Sequence, residues 1–291
     1  MPQIIELMSS SPTVFISITF LISLLVGSFL NVVIYRLPQM MKQEWEDELF
    51  SAQNPDTPLP SRDTFNLVKP DSTCPTCGHK IRAWENIPVL SWLVLKAKCA
   101  SCKTPISARY PAIELLTAVL SSIVAWQLGF SPMGLTFILG TWLLIAMTFI
   151  DLDEMLLPDS LTLSLLWLGL LTHAVFTPEL LKDAVFGGVF GYLSLFSVYW
   201  LFKFFTGKEG MGYGDFKLLA ALGVWVGWQY LTIIILLSSV VGAIIGIALM
   251  LKQNKDGNLA IPFGPYLAAA GYLTVLFGDT IAQTYLDLLL Y

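Results

Sequence analysis

The chain has 291 residues, of which 55% are hydrophobic and only 13% are charged, and its mean hydropathy is +0.70. This composition excludes a single soluble domain. Apolar runs of about 20 residues recur, each long enough to cross a hydrocarbon layer about 30 Å thick, so the lipid bilayer is an expected partner. The net charge of -5 and the pI of 5.0 argue against nucleic acid as a partner.

The apolar runs predict an all-α polytopic membrane protein with about eight transmembrane helices. The first run follows Glu6 with no Lys or Arg before it, which indicates a retained span rather than a secretory leader. The sixth expected span is the shortest. In chain order the spans are expected near 13–35, 111–129, 132–150, 160–177, 184–203, 216–228, 230–251 and 261–279.

Between the first two spans lies the segment 36–110, the part of the chain best able to fold as a soluble subdomain. We therefore expect a first transmembrane helix at 1–35, this loop, and a membrane domain of about seven helices at 111–291. Within the loop, 42–48 is charged and is expected to be helical, whereas 54–60 is a proline-rich connector.

The basic residues predict the orientation of these spans. Ten of the sixteen Lys and Arg residues fall in the 36–110 loop, and with an outside N-terminus only Lys182 lies on the outer face. Because short cytoplasmic segments carry an excess of Lys and Arg, we expect the loop to be cytoplasmic and both termini to be outside.

All four cysteines of the chain fall in the 36–110 loop, in two Cys-x-x-Cys knuckles separated by 21 residues: Cys74-Pro-Thr-Cys77 and Cys99-Ala-Ser-Cys102. Four thiolates at this spacing are typical of a closed, structural zinc site. Two disulfides or four free thiols are the alternatives. His79 could replace one cysteine, but four sulfurs suffice, so we interpret it as a loop residue.

Two acidic residues are candidates for chemistry at the membrane surface. Asp151 follows an apolar run at the inner end of the third span, where a carboxylate is costly unless it has a function or faces a polar cavity. Asp215 ends the sequence Gly210-Met-Gly-Tyr-Gly-Asp215 at the inner entrance of the sixth span, where the alternative role is a helix N-cap.

The predicted topology brings both carboxylates to the same membrane face. Two carboxylates that share a proton can hydrolyse a peptide bond, one acting as base on water and the other donating to the carbonyl oxygen. Asp153 is a rival for the first position. We expect Asp153 and Glu154 to be solvated, and Asp159 and Ser160 to cap the fourth span.

The chain resembles the type IV prepilin peptidases over essentially its whole length. The resemblance rests on the two cysteine knuckles, the Asp151 segment, and several further motifs: Gly27-Ser-Phe-Leu-Asn31, Trp84-Glu-Asn-Ile-Pro88, Arg109-Tyr-Pro, Glu114, Gly212-Tyr-Gly-Asp215-Phe-Lys and Pro262-Phe-Gly-Pro265. It implies that Asp151 and Asp215 are the catalytic pair and that Cys74, Cys77, Cys99 and Cys102 bind zinc.

The resemblance also implies substrates and a cellular location. Such enzymes cleave a short basic leader from type IV prepilins and pseudopilin precursors, after a glycine and before a residue that is usually phenylalanine. They then methylate the new N-terminus from S-adenosylmethionine. The resemblance also implies the inner membrane of a bacterium, so the outer side on which we expect both termini is the periplasm. The sequence contains no strand followed by a glycine-rich turn that would predict a nucleotide pocket, so no residue is assigned to methyl transfer. We expect the methyltransferase site to lie in the 36–110 loop.

Two other classes of function are compatible with parts of this pattern. Acidic residues within a membrane often mark ion paths, so a transporter or channel with a regulatory zinc domain is one alternative. A non-enzymatic scaffold of a secretion machine, with the aspartates as helix caps, is the other. A peptidase assay with a prepilin-like peptide distinguishes all three.

Overall fold

The computed structural model describes residues 2–60, 62–208, 210–253 and 261–290; Lys255, one of the basic residues counted above, lies outside them. The described residues form ten α-helices and contain no strand longer than an isolated bridge. They divide into two compact units, one formed by Thr13–Ile123 and the other by Met1–Pro12 with Val124–Tyr291. The prediction of an all-α protein is therefore confirmed.

Three helices lie mainly in the Thr13–Ile123 unit: α2 (Pro12–Gln53), α3 (Leu90–Val94) and α4 (Arg109–Leu128), after a short α1 (Pro2–Ser10). Helix α2 has 42 residues and continues beyond its apolar run through the charged segment 42–48, which is helical as predicted. The connector 54–60 is non-helical. Gly27 lets α2 approach α4 closely, since a Cβ there would lie 2.7 Å from Cα of Glu114.

The other unit consists largely of six helices: α5 (Pro132–Glu154), α6 (Asp159–Phe176), α7 (Leu181–Thr206), α8 (Tyr213–Val226), α9 (Leu231–Gln253) and α10 (Gly264–Leu290). Helix α8 has 14 residues, and ten of them are buried. It contacts α6, α7 and α10. A helix of this length reaches only about 21 Å, so α8 is the core helix of this unit rather than a lipid-facing span.

Helices α7 and α8 pack with their backbones in direct contact. A Cβ on Gly187 would lie 2.0 Å from the carbonyl oxygen of Gly223, and a Cβ on Gly223 would lie 2.2 Å from that of Gly187. One turn further along α7, a Cβ on Gly191 would lie 2.7 Å from the carbonyl oxygen of Leu219. Small residues four apart permit this approach, as is common between membrane helices.

Within the described residues, six helical segments are long and apolar enough to cross a membrane. They correspond to α2, α4, α5, α6, α7 and α9. The predicted count of about eight is thus approximate. Helix α8 stands at the sixth expected position but is too short, and α10 stands at the eighth without being among the six.

Candidate functional site

Asp151 lies in the last turn of α5 and is only 5% exposed. Its Oδ2 accepts a hydrogen bond of 2.9 Å from the backbone N–H of Gly264, the first residue of α10. A helix N-terminus carries partial positive charge, so α10 stabilises a carboxylate that the C-terminal end of α5 would disfavour. The buried position of Asp151 is therefore supported by a helix distant in sequence.

Asp215 is the third residue of α8 and is 7% exposed. The N-cap of α8 is Gly212, and no side chain caps the helix. The Asp215 carboxylate lies near the backbone N–H of Gly212 and interacts electrostatically with Asp151. Asp215 is therefore not the N-cap residue that we considered as an alternative, and its carboxylate lies near the other candidate acid.

The side chain of Leu157 contacts residues beside both carboxylates. A Cβ on Gly264 would lie 3.2 Å from Cδ1 of Leu157, and a Cβ on Gly214 would lie 2.7 Å from its Cβ. The side chain thus packs against the glycine that binds Asp151 and against the glycine next to Asp215. Glycine at both places permits the close packing of the α5–α6 connection against the starts of α8 and α10.

The neighbouring acids have different environments. Asp153 and Glu154 are exposed at the end of α5, whereas Asp151 is buried. Asp159 is the first residue of α6 after the N-cap Pro158, so the prediction that Asp159 caps this helix is wrong. Its carboxylate instead pairs with Lys217 of α8 at 2.6 and 2.7 Å, because the two helix starts lie side by side. Ser160 follows it within the helix and is not its cap either.

The sequence patterns did not identify Gly264 as part of the site. The segment Pro262-Phe-Gly-Pro265 did contain a signal, because a glycine flanked by prolines at the start of an apolar run marks a constrained turn. What could not be read from it is the partner of the glycine N–H, which lies 113 positions earlier in the chain.

The four cysteines of the other unit form one cluster. Their sulfurs lie within 4.8 Å of one another, and Sγ of Cys74 is 3.8 Å from that of Cys102. All four are free thiols, so the disulfide alternative is not what this structure contains. With Zn–S bonds of about 2.3 Å, the sulfurs of a tetrahedral site lie about 3.8 Å apart, and the cluster fits such an ion.

The two knuckles have the same backbone geometry. In the first, N–H of Gly78 donates to the carbonyl of Cys74, and in the second, N–H of Lys103 donates to that of Cys99. Gly78 and Lys103 both have positive φ, 69° and 62°. Each knuckle is closed by an isolated antiparallel bridge, Thr73 with Lys80 and Lys98 with Pro105.

Hydrogen bonds around the cluster favour the thiolate at two of the four cysteines. The hydroxyl and the backbone N–H of Thr104 lower the pKa of Cys102 to about 6. Backbone N–H groups of Cys77 and Thr76 likewise lower the pKa of the Cys74 thiol. At Cys77, the backbone N–H of His79 is outweighed by desolvation and the neighbouring thiols, which raise the pKa to about 11. Because the thiolate is the metal-binding form of cysteine, the local structure prepares Cys74 and Cys102 in particular for a metal ion.

His79 is directed to a carboxylate rather than to the sulfurs. Its Nε2 lies 3.0 Å from Oε2 of Glu85, and the backbone N–H of Arg82 donates to the same oxygen. These contacts lower the pKa of Glu85, the Arg82 N–H having the largest effect. The interpretation of His79 as a loop residue outside the metal site agrees with this arrangement.

A cavity of about 520 Å³ lies beside the second knuckle. It is open to the surface rather than enclosed. An aromatic ring, two cations and a carboxylate line it together with small and apolar residues: His79, Arg82, Trp84, Glu85, Leu95, Ala100, Ser101 and Lys103. These groups suit a ligand with a planar ring and a carboxylate.

Comparisons with known proteins cover nearly the whole chain. Residues 21–128 match the bacterial peptidase A24 N-terminal domain, and residues 137–247 match the type IV leader peptidase family. A protein of Pseudomonas aeruginosa named prepilin leader peptidase/N-methyltransferase is 55% identical over 284 residues, 98% of each chain. A relative with the same name from Aeromonas salmonicida is 56% identical over 100% of both chains. Another, from Neisseria gonorrhoeae, is 48% identical over 89% of this chain and 90% of the relative. No solved structure matches the chain.

Proposed function

This chain belongs to the type IV leader peptidase family, and we propose that it is a membrane aspartic endopeptidase that removes the leader from prepilins and then N-methylates the new N-terminus. The proposal rests on one observation above the others. Two carboxylates from distant parts of the sequence, Asp151 and Asp215, are both buried and interact with each other in one unit.

Peptide hydrolysis follows from this pair. Burial makes two interacting negative charges unfavourable, so we infer that the pair carries one proton between its two carboxylates. The ionised carboxylate takes a proton from a water molecule, whose oxygen attacks the scissile carbonyl carbon. The protonated carboxyl donates to the carbonyl oxygen, and the proton taken from water is passed to the leaving amine. The Gly264 N–H keeps Asp151 oriented by engaging Oδ2, while Oδ1 accepts the proton.

The substrates that we propose are type IV prepilins and pseudopilin precursors with a short basic leader. In the family, cleavage follows a glycine and precedes a residue that is usually phenylalanine. An aromatic cluster adjoins the proposed dyad, since Tyr213 and Phe216 flank Asp215 and both contact Tyr199. Tyr213 is 48% exposed and offers an aromatic surface for an apolar side chain next to the scissile bond.

We propose that the protein lies in the bacterial inner membrane with the 36–110 loop and the aspartate pair at the cytoplasmic face and both termini in the periplasm. A basic leader is retained on that same side by the positive-inside rule, so the scissile bond meets the carboxylates there. Reporter fusions after residue 60 and at the C-terminus would report cytoplasmic and periplasmic positions. Reports from the same side would contradict this orientation.

The four cysteines would hold one structural zinc ion. Zinc bound by four thiolates has no open coordination position, so it would cross-link the two knuckles rather than take part in cleavage. Residues 1–35, 36–110 and 111–291 are proposed to act as first span, zinc subdomain and protease domain, although α2 itself continues through residue 53.

S-adenosylmethionine is the methyl donor that the family implies, and we propose the cavity beside the second knuckle as its site. The exposed ring of Trp84 can stack on adenine, and Arg82 and Lys103 can pair with the carboxylate of the methionine moiety. The donor would supply an electrophilic methyl group, and these residues would bind and orient it.

The experiment that tests the proposed function follows one peptide through both reactions. Purified full-length protein in lipid is incubated with a prepilin-like substrate and labelled S-adenosylmethionine. Cleavage before the phenylalanine and label on the new N-terminus are expected. Cleavage that is unchanged in the double variant Asp151→Asn, Asp215→Asn would overturn the aspartic mechanism, and intact substrate with wild-type protein would favour a transporter or a scaffold.

A further inference from the structure

Helix α3 exposes a continuous apolar surface. Leu90, Leu93 and Val94 are 60, 57 and 73% exposed, and Ile87 just before the helix is 45% exposed. We define these four residues as the α3 patch. Successive large apolar side chains on one short element usually mark a contact with protein or membrane rather than with water.

The beginning of α3 is bound to a helix that is long and apolar enough to cross a membrane. The backbone N–H of Val89 donates to Oε2 of Glu114 at 2.7 Å. Glu114 is five residues into α4, about 7.5 Å from its start, and α4 is one of the helices able to cross a membrane. Glu114 is only 7% exposed and Val89 is half-buried, so the start of α3 packs against α4.

A second bond holds α3 close to the point where α4 begins. The indole N–H of Trp92 donates to the carbonyl of Ile106 at 3.1 Å, three residues before α4 starts at Arg109. Val89 has φ of 60°, a backbone conformation that a β-branched residue adopts only when its surroundings enforce it. These contacts therefore set α3 beside the end of the span.

The charges around the patch favour an anionic surface. Residues 80–109 contain six Lys and Arg but one acid, Glu85, and that carboxylate is already bound to His79 and Arg82. The local excess is positive although the whole chain has a net charge of -5. Lys96 and Lys98 follow the patch directly and are exposed. Basic residues beside a membrane span are attracted to anionic headgroups.

We propose that α3 lies in the boundary between headgroups and acyl chains of the bilayer that α4 crosses, with the α3 patch among the acyl chains and Lys96 and Lys98 at anionic headgroups. A five-residue helix is too short to bind a membrane strongly alone, but here it is held there by Glu114 and by the start of α4. The cysteine subdomain is thereby fixed at a constant height above the membrane. This role does not depend on cleavage or methylation.

The test is fluorescence quenching in full-length protein reconstituted into phosphatidylglycerol vesicles with brominated acyl chains. A polarity-sensitive fluorescent amino acid replaces Val94 in one sample and Asp56 in another. Asp56 is exposed in the connector after α2, twenty residues past the buried Arg36. We expect blue-shifted, strongly quenched emission at position 94 and little quenching at position 56. Equal quenching at the two positions would overturn the proposal.

Further samples test whether lipid or a bound peptide covers the α3 patch. With the probe at position 94, Leu93→Asp should reduce quenching while zinc content is retained; unchanged quenching would contradict burial of the patch in lipid. In neutral phosphatidylcholine vesicles quenching should be weaker than in phosphatidylglycerol vesicles. Equal quenching in the two lipids would contradict the role assigned to Lys96 and Lys98. A probe that bromolipids do not quench, but that shifts when a prepilin-like peptide is added, would assign the patch to a peptide and overturn the lipid proposal.

Discussion

The backbone N–H of Gly264 donates a hydrogen bond of 2.9 Å to Oδ2 of Asp151, across 113 positions of sequence. This bond joins the last turn of α5 to the first residue of α10. It fixes the carboxylate of Asp151 without using a side chain, and it requires glycine, because a Cβ on residue 264 would lie 2.6 Å from the same Oδ2.

Gly264→Ala should therefore lower the cleavage rate while the protein still assembles in the membrane. The added methyl group displaces the Asp151 carboxylate, and a displacement of about 1 Å in a catalytic group can cost about 100-fold in rate. The measurement is the initial rate of prepilin cleavage. Gly278→Ala on the same helix is the matched control, since its nearest neighbour is Cδ1 of Tyr230 at 3.3 Å. Similar rates for both variants would contradict this role of Gly264.

Asp151→Asn and Asp215→Asn should each abolish detectable cleavage, whereas Asp153→Asn, Glu154→Gln and Asp159→Asn should retain substantial activity. An amide is nearly isosteric with a carboxylate but cannot exchange the proton, and loss of one acid–base group costs about 10²–10⁴-fold. Because the pair acts as a unit, either single variant should be about as damaging as both together.

The control acids are exposed, and Asp159 loses only a surface ion pair with Lys217, worth about 1 kcal/mol or less. Cleavage of a prepilin-like substrate is measured with expression checked. An active Asp151→Asn with an inactive Asp153→Asn would reassign the first catalytic carboxylate.

Gly187→Ala should destabilise the protein by forcing α7 and α8 apart. Its Cβ would stand 2.0 Å from the carbonyl oxygen of Gly223, a backbone atom that cannot rotate away. Overpacking of this kind typically costs about 1–3 kcal/mol, and a shift of α8 moves Asp215 as well. Unfolding in mixed detergent would measure the change. Gly188→Ala is the adjacent control, because its nearest neighbour is a side-chain atom, Cγ2 of Val224 at 3.0 Å, and the backbone oxygen of Ala220 is 3.7 Å away. Equal stability of the two variants would contradict close packing here.

Purified protein should contain about one zinc per chain, bound by the four thiolates. Cys74→Ser or Cys102→Ser should lower metal content and thermal stability more than it changes the cleavage chemistry of the protein that remains folded. His79→Ala is the control and should retain zinc, because His79 pairs with Glu85. Metal analysis that finds no zinc in active protein would exclude a structural zinc site.

Trp84→Ala should weaken methyl transfer and leave leader cleavage intact. Stacking of a base on an aromatic ring contributes about 1–3 kcal/mol, so affinity for S-adenosylmethionine should fall about 5- to 150-fold. The matched control is Trp45→Ala, an exposed tryptophan on α2 outside the cavity. Binding of labelled S-adenosylmethionine and label on the cleaved product are measured together. Unchanged binding in Trp84→Ala would move the donor site elsewhere, and parallel loss of cleavage would indicate misfolding instead.

Much of this protein was determined by local sequence alone. Runs of apolar residues are long enough to require helices in a membrane, because a spanning backbone must satisfy its own hydrogen bonds. The spacing Cys-x-x-Cys likewise implied the cluster, since two residues between cysteines place both sulfurs on one turn. Asp151 was separated from ordinary surface acids by its position directly after an apolar run.

Other features were decided only by tertiary structure. Sequence periodicity could not distinguish a short core helix from a short span, and α8 proved to be buried because three other helices surround it. Nor could local patterns exclude Asp215 as an N-cap or assign the partners of Gly264 and Asp159. These contacts join residues tens of positions apart, and their geometry depends on how whole helices pack. Hydropathy and spacing describe one segment at a time, so they contain no information about which helix ends meet.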